Sequence, residues 1–129
     1  MCAAVFATVL PLPAHHSFIA EYDSGKPLSL TGIVTRVQWM NPHIWIYIDA
    51  KDAGGTIVPW QCEGGSPSGL SHMGWNKNTL KAGDHISIEG FPAKDMAHTC
   101  IARSAKLPDG RQLFSSSSDE AIASGRGKK

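Results

Sequence analysis

His15 and His16 stand directly behind an apolar run that ends in Pro11-Leu12-Pro13-Ala14. Cleavage after Ala14 would leave a mature chain whose first residue is a histidine, with a second histidine beside it. The free α-amine and the ring of one histidine can bind the same metal ion, and a further imidazole completes a T-shaped set of nitrogens. Copper suits such a set best, because Cu(II) tops the divalent affinity series and imidazole is among its good ligands. His43 is the candidate third ligand, since Asn41-Pro42-His43 puts it at the mouth of a strand; His16, through its own ring, is the alternative. An α-amine has an ordinary pKa of about 8. Metal ligands must be deprotonated, so affinity at such a site falls as the pH falls. The competing reading is a solvated terminus, as chain ends usually are, with His43 a turn-end histidine bonded to backbone.

The cut itself is expected from residues 1–14. Cys2 to Leu10 reads CAAVFATVL, without charge, and is followed by a helix-breaking PLP and a small residue, which matches the apolar region and cleavage site of a signal peptide. No Lys or Arg precedes the apolar run, so the natural start is expected upstream; Leu12, at the third position before the cut, is tolerated there but poorer than the first Ala of the usual A-x-A. A buried strand or helix is the alternative for this segment. A membrane span needs about 20 apolar residues, so no stable membrane insertion is expected after processing, and the mature protein is expected to be periplasmic or secreted.

Three further groups of residues invite chemistry. Glu63, Gly64, Gly65 and Ser66 precede Pro67, and amides at a helix start can hold an anion, although Glu63 disfavours one. Glu63 could instead orient an imidazole of His15 or His43 as a supporting carboxylate; the simpler reading is a glycine turn capped by Ser66. Trp45 and Tyr47 share one face of a strand, the pattern of a stacking platform for a small ligand or glycan, against the alternative that these aromatics fill the core. Cys62 and Cys100 remain after cleavage and could form one disulfide in an oxidising compartment, or stay as two buried thiols.

The elements that must position these residues are short strands separated by Gly, Pro, Asn and Asp between Leu28 and Leu113, the pattern of an all-β barrel or sandwich. Leu28 and Leu30 differ in parity from Val37 and Trp39, so a bulge is expected, with Gly32 as its site. In HIWIYID, Ile44, Ile46 and Ile48 face one way while His43, Trp45, Tyr47 and Asp49 face the other. Pro59 implies that the strand IVPWQCEG lies at an edge or breaks its ladder. Ser66-Pro67 opens a short helix that stops near Gly74, and strands follow at HISIEGF, from Thr99 to Leu107, and up to Phe114. The expected fold is all-β, a small OB-like five- or six-stranded β-barrel with one short helix, over residues 15–114; a β-sandwich is the alternative. From Ser115 the chain reads SSSSDEAIASGRGKK, a composition expected to stay disordered.

The ordered set HHSF, NPHIWIYID, EGGSP, GW, LKAGD, EGF and ARSAKLPDGR resembles a family of small exported bacterial proteins known as a domain of unknown function. The resemblance runs from His15 to about Phe114. It implies export and a compact β-rich domain, and it brings no activity, ligand or catalytic residue. Cys62, Cys100 and His72 lie outside those motifs, so it carries no role for them.

With 12 Lys+Arg against 11 Asp+Glu the formal net charge is +1, and no basic stripe suggests nucleic acid as a partner. No GxSxG, HExxH, P-loop or CxxC is present, so binding is favoured over catalysis, and oxidative copper chemistry at an N-terminal histidine is the one enzyme reading left open. The leading expectation is an exported binding protein that chelates copper through His15, His16 and His43. The second is a small-ligand or glycan-binding barrel using Trp45 and Tyr47, and the third a structural module of the cell envelope.

Overall fold

The computed structural model describes residues 21–114. The expectations for residues 1–14, His15, His16 and the segment after Phe114 therefore lie outside the described residues. Among the described residues, six strands and one complete helix follow in the order β1 (Leu28–Gln38), β2 (Trp45–Lys51), β3 (Ile57–Glu63), α1 (Pro67–His72), β4 (His85–Pro92), β5 (Thr99–Lys106) and β6 (Gln112–Phe114).

Strand β1 is the organiser, pairing antiparallel with both β2 and β4. Strand β2 continues to β3 and β4 to β5, both antiparallel. The circuit closes where β3 and β5 pair in parallel, Gln61 to Thr99, Cys62 to Cys100 and Glu63 to Ile101. The product is a five-stranded closed barrel with an OB-like strand order, and β6 adds to the part of β5 that β3 does not reach. Closure removes most open edges of the sheet, and it excludes the sandwich alternative.

Alternation along the strands decides which side chains fill the barrel. Ile44, Ile46, Ile48 and Ala50 are all buried, as are Leu30 and Val34 of β1, Ile86 and Ile88 of β4, and Ala102 and Ala105 of β5. The phase change in β1 occurs between Val34 and Arg36, where the register with β2 shifts. It does not occur at Gly32. The extra residue, Thr35, is exposed, so Val34 stays inside and Val37 returns to the core side. Gly32 has a different duty: a side chain there would collide with the Asp49 carbonyl of β2. Gly90 meets the same constraint against the Ile101 carbonyl of β5. At both positions the strands approach closely as the barrel curves, which only glycine allows.

The helix caps this core from outside the barrel circuit. Ser66 accepts a hydrogen bond from the Gly69 amide at 3.0 Å, Pro67 occupies the first turn, and Leu70 is fully buried. Gly74 follows at φ 89, a left-handed conformation that ends the helix. Pro59 sits opposite Asp49 in the β2–β3 ladder, and the pairing of β3 with β5 begins only at Gln61. At Pro59 β3 is thus paired on one side only, to β2, and the missing proline N–H interrupts no β3–β5 bond.

Candidate functional site

The outward face of β2 carries His43, Trp45, Tyr47 and Asp49, and the pairing of β2 with β3 decides which of them meets Glu63. Trp45 lies opposite Glu63. The ladder runs on past the strand end, with the Ile44 N–H bonded to the Gly65 carbonyl at 3.0 Å and the Gly64 N–H to the Ile44 carbonyl at 2.8 Å. His43 is thus the diagonal neighbour of Glu63 on one face, within reach of a long side chain. Its Nδ1 lies 2.5 Å from Glu63 Oε1.

The other oxygen of Glu63 accepts the hydroxyl of Tyr22. Tyr22 comes from the segment before β1, which is fastened alongside the end of β4. Tyr22 bridges to Ala93, the Asp23 N–H donates to the Pro92 carbonyl at 2.9 Å, and the Lys94 N–H donates to the Glu21 carbonyl at 2.9 Å. Tyr22 is 4% exposed. Three distant segments of the chain therefore converge on one carboxylate: Tyr22 before the barrel, His43 before β2 and Glu63 at the end of β3.

This arrangement assigns the nitrogens of His43. A carboxylate is acceptor-only, so Nδ1 carries the proton toward Glu63, and in the neutral ring Nε2 keeps its lone pair. The His43 side chain is 35% exposed against 14% for Glu63. A sheltered carboxylate fixing a partly exposed imidazole is the arrangement by which proteins orient a metal-binding histidine. Among the described residues no three His, Cys, Asp or Glu side chains gather into a metal cage.

Beside Glu63 the surface opens into a cleft of about 330 Å³ walled by Tyr22, Trp45, Glu63, Asp95 and Met96, among others. Trp45 faces this cleft and Tyr47 is not among its walls. Instead the Arg36 guanidinium stacks 4.0 Å above the Tyr47 ring, and the Tyr47 hydroxyl donates to Gln38 Oε1 at 2.9 Å. The two aromatics share a strand face but serve different neighbours. Trp75 is buried, Trp39 and Trp60 pack partly against the core, and Trp60 meets His98 edge to face.

The EGGSP loop has its own internal uses. Gly64 and Gly65 are buried and extend the β2–β3 ladder, while Ser66 caps the helix. Of its four candidate residues, Glu63 is the one brought to the other candidate groups. Cys62 and Cys100 face each other on the parallel seam, with Cα atoms 4.5 Å apart and the sulfurs joined in a disulfide, both residues fully buried. His72 is exposed and its Nδ1 lies 2.8 Å from the Ser68 carbonyl; His85 and His98 are exposed as well.

Sequence reasoning overlooked Tyr22, Met96 and Asp95. Tyr22 precedes the first strand and follows no periodic pattern, and the loop carrying Asp95 and Met96 reaches the site only through the barrel's closure.

The sequence model of a family of unknown function, DUF6152, matches residues 4–102, and the chain belongs to that family. No curated protein matches it.

Proposed function

We propose that this protein is an exported copper-binding protein, in which a mature N-terminal His15 supplies its amine and ring to Cu(II) and His43 supplies Nε2, with His16 as the alternative imidazole. The single observation behind this reading is the hydrogen bond of His43 Nδ1 to Glu63 at 2.5 Å. It orients the ring and leaves the other nitrogen for a metal.

Connectivity supports the same reading. Tyr22 is fastened to the oxygen of Glu63 that His43 does not use. His16 and His15 stand six and seven positions before Tyr22, and an extended chain covers at most about 3.6 Å per residue, so both N-terminal histidines are tethered within roughly 25 Å of that carboxylate's partner. A buried disulfide on the barrel seam accords with an oxidising compartment outside the cytoplasm. Among the described residues no helix is long and apolar enough to cross a membrane. The test is the intact mass of the exported protein with and without Cu(II). A terminus at His15 and a one-copper adduct are expected; a different terminus, or no adduct, defeats the proposal.

A second reading has its own observation. Trp45 forms a wall of the cleft beside Glu63, whose volume falls at the lower end of small-molecule sites, about 300–1,000 Å³. A small neutral ligand or sugar unit stacked on Trp45 would change its fluorescence, and Trp45→Ala would abolish binding. No response across a panel of glycans and small apolar compounds would eliminate this reading.

A further inference from the structure

Trp45 and Glu63 stand directly opposite each other in the β2–β3 ladder, and such partners have Cβ atoms about 5 Å apart on one face of the sheet. The indole of the cleft therefore rises beside a carboxylate. Tyr22 walls the cleft from the segment before β1, and Asp95 and Met96 wall it from the connection between β4 and β5. Glu21 lines it as well. Two aromatic rings and a thioether thus share one concavity with three carboxylates, and every charged side chain among its described walls is acidic. Carboxylates around a concave surface concentrate cations, and the face of a tryptophan attracts a cation more strongly than that of any other side chain.

The hydrogen bonds of Glu63 decide which kind of cation suits the cleft. One of its oxygens faces His43 Nδ1 and the other accepts the Tyr22 hydroxyl, so the most sheltered carboxylate is already engaged at both atoms. A hard metal ion asks for carboxylate oxygens as ligands, and a primary ammonium brings three N–H donors that need acceptors. A methylated ammonium needs neither. Its charge is diffuse, and its methyl groups pack against ring faces and against the soft sulfur of Met96. The cleft volume of about 330 Å³ suits a compact head group rather than a long chain. We infer that this cleft binds a small quaternary ammonium compound of the size of choline, with its methylated head on Trp45 and its charge facing Glu21, Glu63 and Asp95. The inference is independent of the copper reading, and it gives the Trp45 cleft a cationic guest where the second reading has a neutral one.

The experiment titrates the full chain by calorimetry in copper-free buffer with choline, and with the neutral alcohol in which carbon replaces the choline nitrogen. The two probes have the same shape and differ in charge. Choline is expected to bind about tenfold or more tightly than the alcohol, and Trp45→Leu to lose about the same factor for choline. Asp95→Asn changes an exposed residue; it should weaken choline severalfold at low salt and leave the alcohol unaffected. No binding of choline by the wild type at millimolar concentration overturns the inference. Equal affinities for choline and the alcohol overturn it too, and favour a neutral ligand. Choline affinity unchanged in both variants places the site elsewhere and overturns it as well. Because the titration contains no copper, each of these failures leaves the Cu(II) reading where it stood.

Discussion

His43 and Glu63 meet across the open end of the β2–β3 ladder, Nδ1 to Oε1 at 2.5 Å, although 20 residues separate them in the chain. The contact follows from register: Trp45 is opposite Glu63, so His43, two residues earlier, lies diagonally on the same face. Tyr22 takes the remaining carboxylate oxygen, and the glutamate is held from both sides.

Glu63→Gln tests whether that carboxylate orients the imidazole. The amide is similar in size but lacks the charge, and it can turn an N–H toward the ring. Loss of such a supporting partner costs about 10–100-fold in metal affinity. Cu(II) affinity of the variant should fall by that factor with an unchanged circular dichroism spectrum, and an affinity equal to wild type would remove Glu63 from the account.

Trp45→Phe, which keeps an aromatic wall, should preserve copper affinity while removing the tryptophan nearest the proposed metal. Copper-induced quenching of intrinsic fluorescence should therefore shrink sharply, because Trp75 is buried and Trp39 and Trp60 pack against the core. Undiminished quenching would place the metal elsewhere.

The disulfide closes a loop of 38 residues, a constraint on the unfolded chain worth about 4 kcal/mol in the chain-entropy account. Cys62→Ala/Cys100→Ala should lower the urea midpoint accordingly. Because the parallel seam contains only three residue pairs, and Glu63 is one of them, the double variant should also bind Cu(II) more weakly under native conditions.

Gly90→Ala should destabilise the barrel by at least about 1–3 kcal/mol, the usual cost of forcing extra atoms into packed structure. The obstacle is the Ile101 carbonyl, a backbone group that cannot move aside as a side chain can. Gly55→Ala meets no atom nearby, and its cost should come from the positive φ of 81 alone. Urea unfolding of the two variants side by side separates collision from backbone conformation.

Asp109 provides a pH-dependent control away from the site. The Arg111 amide and then its guanidinium hold the Asp109 carboxyl below its ordinary value of 3.8. The folded state therefore favours the ionised form. Its contribution to stability is present above the unfolded value and is lost as pH falls through the lower folded one. In Arg111→Ala the carboxyl should titrate closer to the ordinary value by NMR, with Cu(II) binding unaffected.

The barrel was legible in the sequence because its signals are local. Ile44, Ile46 and Ile48 alternate with polar and aromatic residues, Ser66-Pro67 marks a helix start, and glycine, proline and aspartate punctuate the strands. The position of the bulge was not legible, since parity shows that a phase change occurs between Leu30 and Val37 without saying at which residue. Gly32 drew attention as a glycine, yet its role comes from the Asp49 carbonyl of a neighbouring strand. The candidate site divides the same way. His43 and Glu63 stood out by residue type, whereas Tyr22 and Met96 reach the cleft through long-range closure that no window of sequence contains.

The central claim, copper held by a mature N-terminal histidine together with His43, is tested most directly by a Cu(II) competition titration on the processed protein and on the same protein with its α-amine acetylated. One equivalent bound with sub-micromolar affinity, abolished by acetylation or by His15→Ala and weakened as pH falls, is the predicted result. A processed protein with a free His15 amine that takes up no Cu(II) in the sub-micromolar range would contradict it.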